Sequence, residues 1–370
     1  MGDDIHKIAK KIVEKCKYIP EHWLQDVEDI LHRLQMRTEE KSEGSFSEDH
    51  SSSQWSEDDI STLIDSCLGP LYSGTEEKIG AITKLLSVAC DNIDNLHSLV
   101  QHQPMMSAIS RLIEDDSICS SELTFNLGKV CLALSSVKCH RKFLSKYRIG
   151  SLIMSVVQLE VRRMDLLIIG EDPNVTEAGL YGGTRRNDNI LRVHLSILVE
   201  LSNDMTTFQK MLKRDLSQLL LSCVKTTSKK CLFVTLILLK RASIFEEVMV
   251  LMKDSWKRTS LIENFLAFLK MDDPLISRLV LSIFYNLSFD RQCRQLLIES
   301  NAQSCLMIMK GGAKMKELLW KTMYHFTIDR DLRTAISNTT SILDVILKML
   351  VKRQQRPIGR EVSAIVVNVS

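Results

Sequence analysis

Glycine and proline are scarce in this sequence, which has only 14 Gly and 6 Pro in 370 residues. That scarcity argues against a turn-rich sheet protein, whereas nearly half of the residues are apolar and a quarter are charged, a balance that suits amphipathic helices. The chain is also longer than a single hydrophobic core usually supports. We therefore expect an all-α protein built from two domains or from repeats.

The sequence also lacks a charge imbalance, a CxxC pair and a long apolar run. A formal net charge of +2 does not indicate a nucleic-acid partner. Most of the ten cysteines lie within apolar runs, which indicates small buried thiols in a reducing compartment. No apolar stretch is long enough to span a bilayer, and the first residues lack the apolar core of a signal peptide. We expect a soluble cytoplasmic protein without direct membrane insertion.

Enzyme signatures are missing as well. The sequence contains no P-loop, HExxH, GxSxG or GxGxxG pattern. Cys139 and His140, with Cys131, could suggest a metal site, but no second closely spaced pair completes four ligands, so we interpret them as a thiol and a corner histidine. The sequence therefore predicts no catalytic residues, no cofactor and no metal.

Two segments precede the main part of the chain. Residues 1–37 carry apolar residues at helical spacing and form a predicted N-terminal helical segment. Residues 38–59 are rich in Ser and acidic residues, which predicts a disordered linker. Ser45 and Ser56 each have an acidic residue three positions on, so both are candidate phosphorylation sites. The alternative is an unmodified spacer in which Ser56 caps the next helix.

Residues 60–370 repeat one phrase, in which a leucine-rich helix ends at a Ser, Thr or Ala before a polar corner and a second apolar helix. The equivalent positions are Ala89, Ser135, Ser202, Ser243, Ser288, Thr327 and Ser370, which are 46, 67, 41, 45, 39 and 43 residues apart. Five of these six steps match armadillo and HEAT arrays, so we predict a right-handed superhelical solenoid of about seven repeats. The long step predicts an inserted loop at about 160–190. Because the chain ends inside the helix that would close the last repeat, we expect the natural solenoid to continue.

A ladder of residues lies two positions before each repeated Ser or Thr. Its members, called the rungs below, are Glu200, Arg241, Asn286, His325 and Asn368. In armadillo arrays this position lies on the third helix of each repeat and faces the concave groove, where an amide can hold the backbone of an extended peptide. Since only two rungs are Asn, the groove better suits charge complementarity with a helix or coiled-coil tail. Simple solvation of each rung is the alternative.

Three basic pairs accompany the ladder. Lys229-Lys230, Lys240-Arg241 and Lys257-Arg258 could form a strip on one face of successive repeats and attract acidic partners. Charged pairs at helix ends are more often merely solvated.

Several phrases, in order along the chain, resemble the kinesin-associated protein family. They include Cys16-Lys17, Tyr147-Arg148-Ile149-Gly150, Asn286-Leu287-Ser288-Phe289-Asp290 and Tyr324-His325-Phe326-Thr327-Ile328-Asp329. The resemblance implies a non-enzymatic adaptor, the accessory subunit that binds the tails of the two kinesin-II motor chains and links them to cargo adaptor proteins. It also implies a location on microtubules and in cilia.

Two other armadillo classes are alternatives. A nuclear-import receptor would need Trp and Asn four residues apart on successive third helices, but Ser282 precedes Asn286 at that spacing. A scaffold of the catenin kind fits the repeat pattern as well as an adaptor does.

Overall fold

The computed structural model describes residues 57–115, 120–169, 177–225, 228–258, 261–271, 273–307, 313–337 and 360–369, together with His6, Lys10, Leu24, Glu28 and Lys348. The chain divides into two compact units, Met1–Trp55 and Ser56–Ser370. In the first unit the four described residues are all helical. His6 Nδ1 lies 2.5 Å from Glu28 Oε1, so this contact joins distant parts of the segment predicted to be helical.

Helices make up the second unit. They are α1 (Glu57–Leu68), α2 (Thr75–Asp91), α3 (Ile93–Gln101), α4 (Gln103–Glu114), α5 (Ser121–Ser136), α6 (Arg141–Lys146), α7 (Ile149–Ile169), α8 (Glu177–Leu201), α9 (Met205–Leu212), α10 (Leu216–Cys223), α11 (Lys229–Ala242), α12 (Glu246–Arg258), α13 (Leu261–Lys270), α14 (Pro274–Leu287), α15 (Arg291–Glu299), α16 (Ala302–Met307), α17 (Ala313–Phe326), α18 (Arg330–Ser337) and α19 (Arg360–Val369). Two 3-10 turns, Gly69–Tyr72 and Lys138–His140, connect some of them. The described part of the chain contains no β-strand.

One row of helices runs through the whole unit. It consists of α2, α5, α8, α11, α14, α17 and α19, each packed on the next. The repeated Ser or Thr lies at or just after the C-terminal end of α5, α8, α11, α14 and α17, so these helices are the third helices of successive repeats. Helices α4, α7 and α10 pack in a second row. Each repeat therefore buries against its neighbour an apolar face that it cannot cover alone.

The polar corners after α8 and α14 start the next helix. Asp204 accepts a 2.9 Å hydrogen bond from the backbone N–H of Thr207, and Asp290 accepts one of 2.8 Å from Cys293. These are N-caps, which satisfy helix-start donors that would otherwise lack partners. Hydrogen bonds from Thr206 and Thr207 lower the pKa of Asp204 to about 2. The Asp and Asn residues of the repeated phrase are therefore signals for helix starts.

The apolar core is continuous from the first repeat to the last. One cluster of buried side chains extends from Ile60 to Ile365. Its aromatic part brings the ring centroids of Trp256 and Phe265 to within 6.2 Å and 6.1 Å of Phe284 on α14. The eight described cysteines are free thiols, and five of them are buried. None of the described helices has the length and apolarity needed to cross a bilayer.

The inserted loop predicted at about 160–190 is helical over most of that span. Helix α7 continues to Ile169 and α8 begins at Glu177, while 170–176 lie outside the described residues. Gly179, Gly182 and Gly183 each disfavour a helix by about 1 kcal/mol relative to Ala. The prediction was wrong because adding residues to an existing helix needs no new nucleus, and α8 is anchored by packing on α5 and α11.

The predicted linker boundary also shifts. Helix α1 begins at Glu57, so the last three residues assigned to the linker at 38–59 are helical. Ser45 and Ser56 lie outside the described residues, and their phosphorylation stays a prediction.

Candidate partner-binding surface

The five rungs occupy equivalent places at the C-terminal ends of third helices. Glu200 lies on α8, Arg241 on α11, Asn286 on α14, His325 on α17 and Asn368 on α19. All five side chains are partly buried. Four of them contact the hydroxyl group of the repeated Ser or Thr in the preceding repeat. The ladder therefore runs along the seam between repeats.

Asn286 shows the arrangement most clearly. Its Nδ2 donates to the Lys240 carbonyl at 3.0 Å and to Ser243 Oγ at 2.9 Å. The Ser243 hydroxyl in turn donates to the same Lys240 carbonyl at 2.9 Å. An amide nitrogen has two N–H groups, so both donors of Asn286 are used within the solenoid. These donors are not available to clamp the backbone of an extended peptide.

Asn368 repeats this geometry in the last described helix. Its Nδ2 donates to Thr327 Oγ1 at 3.1 Å, and Thr327 Oγ1 donates to the Tyr324 carbonyl at 2.8 Å. The hydroxyl is fully buried and closes the end of α17 while it accepts the rung of the next repeat. A Ser or Thr at this position therefore serves two hydrogen bonds at once, which gives a physical reason for its recurrence.

Arg241 and Glu200 belong to one charged group with Arg141. Arg241 donates to the Val199 carbonyl at 2.8 Å and to the Ser202 hydroxyl. Burial lowers the pKa of Arg241, while Glu200 opposes this shift and Arg141 adds to it. The predicted charge of Arg241 is thus directed mainly at its own solenoid.

Glu200 cannot follow the pattern of the other rungs. The Ser135 hydroxyl already donates to Leu132 at 2.9 Å, and a carboxylate has no proton to offer it. Arg141 connects the two repeats instead. Its Nε donates to the Ser135 carbonyl at 3.2 Å, and one of its terminal nitrogens donates to Glu200 Oε2 at 2.9 Å. The acidic rung is therefore joined to the preceding repeat through an arginine.

His325 lies among aromatic rings. The ring centroids of Tyr285 and Phe289 are 5.3 Å and 4.4 Å from that of His325. Burial lowers the pKa of His325, and Arg294 lowers it further, so the ring is neutral at pH 7. The Ser288 hydroxyl donates its one proton to the Tyr285 backbone carbonyl at 2.6 Å. It can therefore only accept from His325, so Nδ1–H of His325 donates to Ser288 Oγ over 2.7 Å. His325 therefore offers a partner a neutral acceptor, Nε2, and not a positive charge.

Arginines at the sixth position after the repeated Ser or Thr form a further series, which the sequence analysis missed. Arg294 is buried and binds the Ser288 carbonyl at 2.8 Å and Asp329 of the next repeat at 2.6 Å. Arg141 and Arg333 occupy the equivalent places, and Arg333 donates to the Asn368 carbonyl at 3.1 Å. The equal spacing in VKCHRK, DRQCRQ and DRDLRT, each starting two residues after the repeated Ser or Thr, was a signal that could have identified them.

Exposed apolar side chains lie directly after the repeated Ser or Thr in three consecutive repeats. Ile244, Phe289 and Ile328 are 58%, 62% and 46% exposed. Phe289 also contacts the rung His325, so this apolar series adjoins the ladder. We call Ile244, Phe289 and Ile328 the apolar corners. The apolar corners are accessible to a partner, whereas most donor groups of the rungs are used in hydrogen bonds within the solenoid.

The proposed basic strip does not form on one face of successive repeats. Lys229-Lys230 and Lys240-Arg241 begin and end the same helix, α11, and are therefore about 16 Å apart. Lys257-Arg258 ends α12, a helix of another row. Spacing along the chain does not tell which helix ends share a surface, so the strip, which was the less favoured interpretation of these pairs, is not supported.

Designed armadillo repeat proteins have similar solved structures. One, designed for modular peptide recognition, has a TM-score of 0.54 and 11% identity, and the match covers 72% of this chain and 99% of that one. Another, in complex with the peptide (KR)4, has a TM-score of 0.50 and 12% identity over the same shares. Likeness at this identity establishes the fold, and the predicted all-α armadillo-like solenoid is confirmed.

A family model is more specific than these structural matches. The model described as kinesin-associated protein (KAP) matches residues 2–370, which is nearly the whole chain. The resemblance inferred from several phrases in order along the chain is thereby confirmed, and the chain belongs to the kinesin-associated protein family.

Proposed function

We propose that this protein is a non-enzymatic adaptor subunit that binds the tails of the kinesin-II motor heterodimer. It links them to cargo adaptor proteins for microtubule-based transport in the cytoplasm and the cilium. The family match over residues 2–370 is the observation that carries the proposal. An extended repeat array supports it, because such arrays offer long surfaces for partner segments.

The motor tail binds, in this proposal, along the ends of the third helices. Most rung donors bond within the solenoid, but the Glu200 side chain, which pairs with Arg141, is still 33% exposed and can also pair with a charge on the tail. The apolar corners supply area that a partner can bury. An amphipathic tail helix matches this combination, because its apolar residues recur along one face.

The experiment measures binding of the purified chain to the kinesin-II tail heterodimer by calorimetry. Phe289→Ser with Ile328→Ser removes two apolar corners and is expected to weaken binding by about 10- to 100-fold. The matched control is Leu275→Ser, because Leu275 is 50% exposed at the opposite end of α14. Equal loss of affinity in both variants would reject the corners as the site, whereas failure of the unchanged chain to bind either tail would reject the motor-adaptor function.

Charge provides a second readout on the same surface. Glu200→Lys is expected to lower the affinity for the tail, with Glu246→Lys on α12 as the control for added positive charge. Melting followed by circular dichroism separates a binding defect from a folding defect. Unchanged affinity of Glu200→Lys would remove this rung from the binding site.

A further inference from the structure

Three side chains with metal-binding atoms meet at one corner of the solenoid. His97 on α3 joins Cys139 and His140 of the 3-10 turn, and their ligand atoms lie within 4.8 Å of one another. His97 and Cys139 are exposed, whereas His140 is 1% exposed. Among the described residues, these three form the group that satisfies this distance criterion. Cys131, considered with Cys139 and His140 in the sequence, is fully buried in α5 and lies outside the cluster.

The distance between the two histidines is the one that two ligands of a shared ion would have. His97 Nδ1 and His140 Nε2 are 3.4 Å apart, longer than a normal hydrogen bond from nitrogen. A tetrahedral Zn²⁺ with Zn–N bonds of about 2.0–2.1 Å holds its two nitrogens about 3.3–3.4 Å apart. The two imidazoles are thus already spaced as ligands of one such ion.

The opposite nitrogen of His97 also has a suitable partner. His97 Nε2 lies 2.7 Å from the side-chain amide of Gln101, one helical turn further along α3. A half-turn of that amide directs its oxygen at the ring, so that Nε2–H donates and Nδ1 carries the lone pair. Histidine ligands of metals are commonly held in this way by a hydrogen bond on the other nitrogen.

We propose that His97 Nδ1, His140 Nε2 and Cys139 Sγ form a Zn²⁺ site. Two imidazoles and a thiol suit Zn²⁺ and not Mg²⁺ or Ca²⁺, which require oxygen ligands. On binding, the Cys139 thiol loses its proton to the solvent and a water molecule takes the fourth position. Because His97 precedes the third helix α5 and Cys139 follows it, the ion joins the corners of two successive repeats.

Titration of the reduced, chelator-treated chain with Co²⁺ tests the site, because tetrahedral Co²⁺ with a thiolate ligand gives visible bands and a thiolate charge-transfer band. We expect one such Co²⁺ per chain. Cys139→Ser should abolish the charge-transfer band, and His97→Ala should weaken Co²⁺ binding by roughly tenfold or more. Cys90→Ser is the matched control, because Cys90 is exposed and outside the cluster. No thiolate band, or a band that Cys90→Ser removes and Cys139→Ser keeps, would overturn the proposal.

Thermal unfolding gives a readout that does not depend on cobalt. An ion that binds only the folded chain raises its melting temperature, so one equivalent of Zn²⁺ should raise the Tm of the unchanged chain. The Tm of Cys139→Ser should not respond. An equal rise in both would place the ion elsewhere. Cys139→Ser and His97→Ala both alter exposed side chains, and circular dichroism without metal checks that the two variants fold.

Discussion

Two junctions between repeats use the same pair of positions with opposite chemistry. At the aromatic junction, Phe208 lies six residues after Ser202 and contacts Phe245, two residues after Ser243, with ring centroids 5.8 Å apart. At the ionic junction, Arg294 lies six residues after Ser288 and binds Asp329, two residues after Thr327. The backbone thus brings the same two places together, and either an apolar or a charged pair can fill the contact.

The comparison shows that the corner contact is defined by geometry and not by residue type. Phe208 is 2% exposed and contributes area removed from water. Arg294 is 7% exposed and must satisfy its buried charge, which it does with Asp329 and two backbone carbonyls. The two junctions should therefore respond differently to truncation and to rescue.

Truncation at the aromatic junction should have the largest effect. Phe208→Ala removes a buried ring and leaves a cavity, which should lower the free energy of unfolding by about 3–5 kcal/mol. Phe143→Ala is the control, because Phe143 is 40% exposed and its loss should be much smaller. Urea unfolding followed by circular dichroism measures both. Equal losses would mean that the aromatic junction contributes no more than a surface contact.

Truncation at the ionic junction should be next in size. Arg294→Ala leaves Asp329 and the carbonyls of Ser288 and Phe289 without their donor, which should cost about 2–4 kcal/mol. The control is Lys321→Ala, because Lys321 pairs with Glu317 at 2.7 Å within one helix, away from Asp329, and its loss should be much smaller.

A double-mutant cycle sharpens the contrast between the junctions. Arg294→Met combined with Asp329→Asn removes the charge from both partners, so the double variant should be more stable than the sum of the single losses allows. Strict additivity in urea unfolding would contradict direct coupling across the ionic junction.

The smallest effect is expected at a rung. Asn286→Ala removes two hydrogen bonds to Lys240 and Ser243. Ser243 is fully buried, but its hydroxyl still donates to the Lys240 carbonyl, so the loss should be only about 1 kcal/mol. Asn203→Ala, which removes an exposed 3.2 Å contact to Glu200, is the control. If Asn286→Ala instead left stability unchanged, the seam would not depend on this rung.

The repeat was predictable because its signals are local. Apolar spacing and the recurring Ser, Thr or Ala before a polar corner depend on residues within a single helix or turn, and the structure places Asp204 and Asp290 of these corners at helix starts. The hydrogen-bond partners of the rungs were not predictable in the same way. Asn286 and Ser243 are separated by 43 residues, and no pattern within one repeat indicates that the amide donors meet this hydroxyl.

The prediction of an inserted loop was wrong for a related reason. Glycine and polar residues around Gly179 and Gly182 are locally unfavourable in a helix, but α8 is anchored further along by packing on its neighbours. Likewise, Cys139 and His140 lacked a further ligand in their own stretch of sequence, whereas His97 from the preceding corner lies beside them.

The amino-acid sequence by itself determined the helical class, the repeat and the family, because each depends on order and spacing along the chain. Only the tertiary structure decided which side chains hold successive repeats together and which remain accessible to a partner. Stacking brings together residues about 40 positions apart, and hydrogen bonding there uses donors that the sequence leaves unassigned. That is why the same ladder of residues could be predicted as a surface and yet lie in a seam.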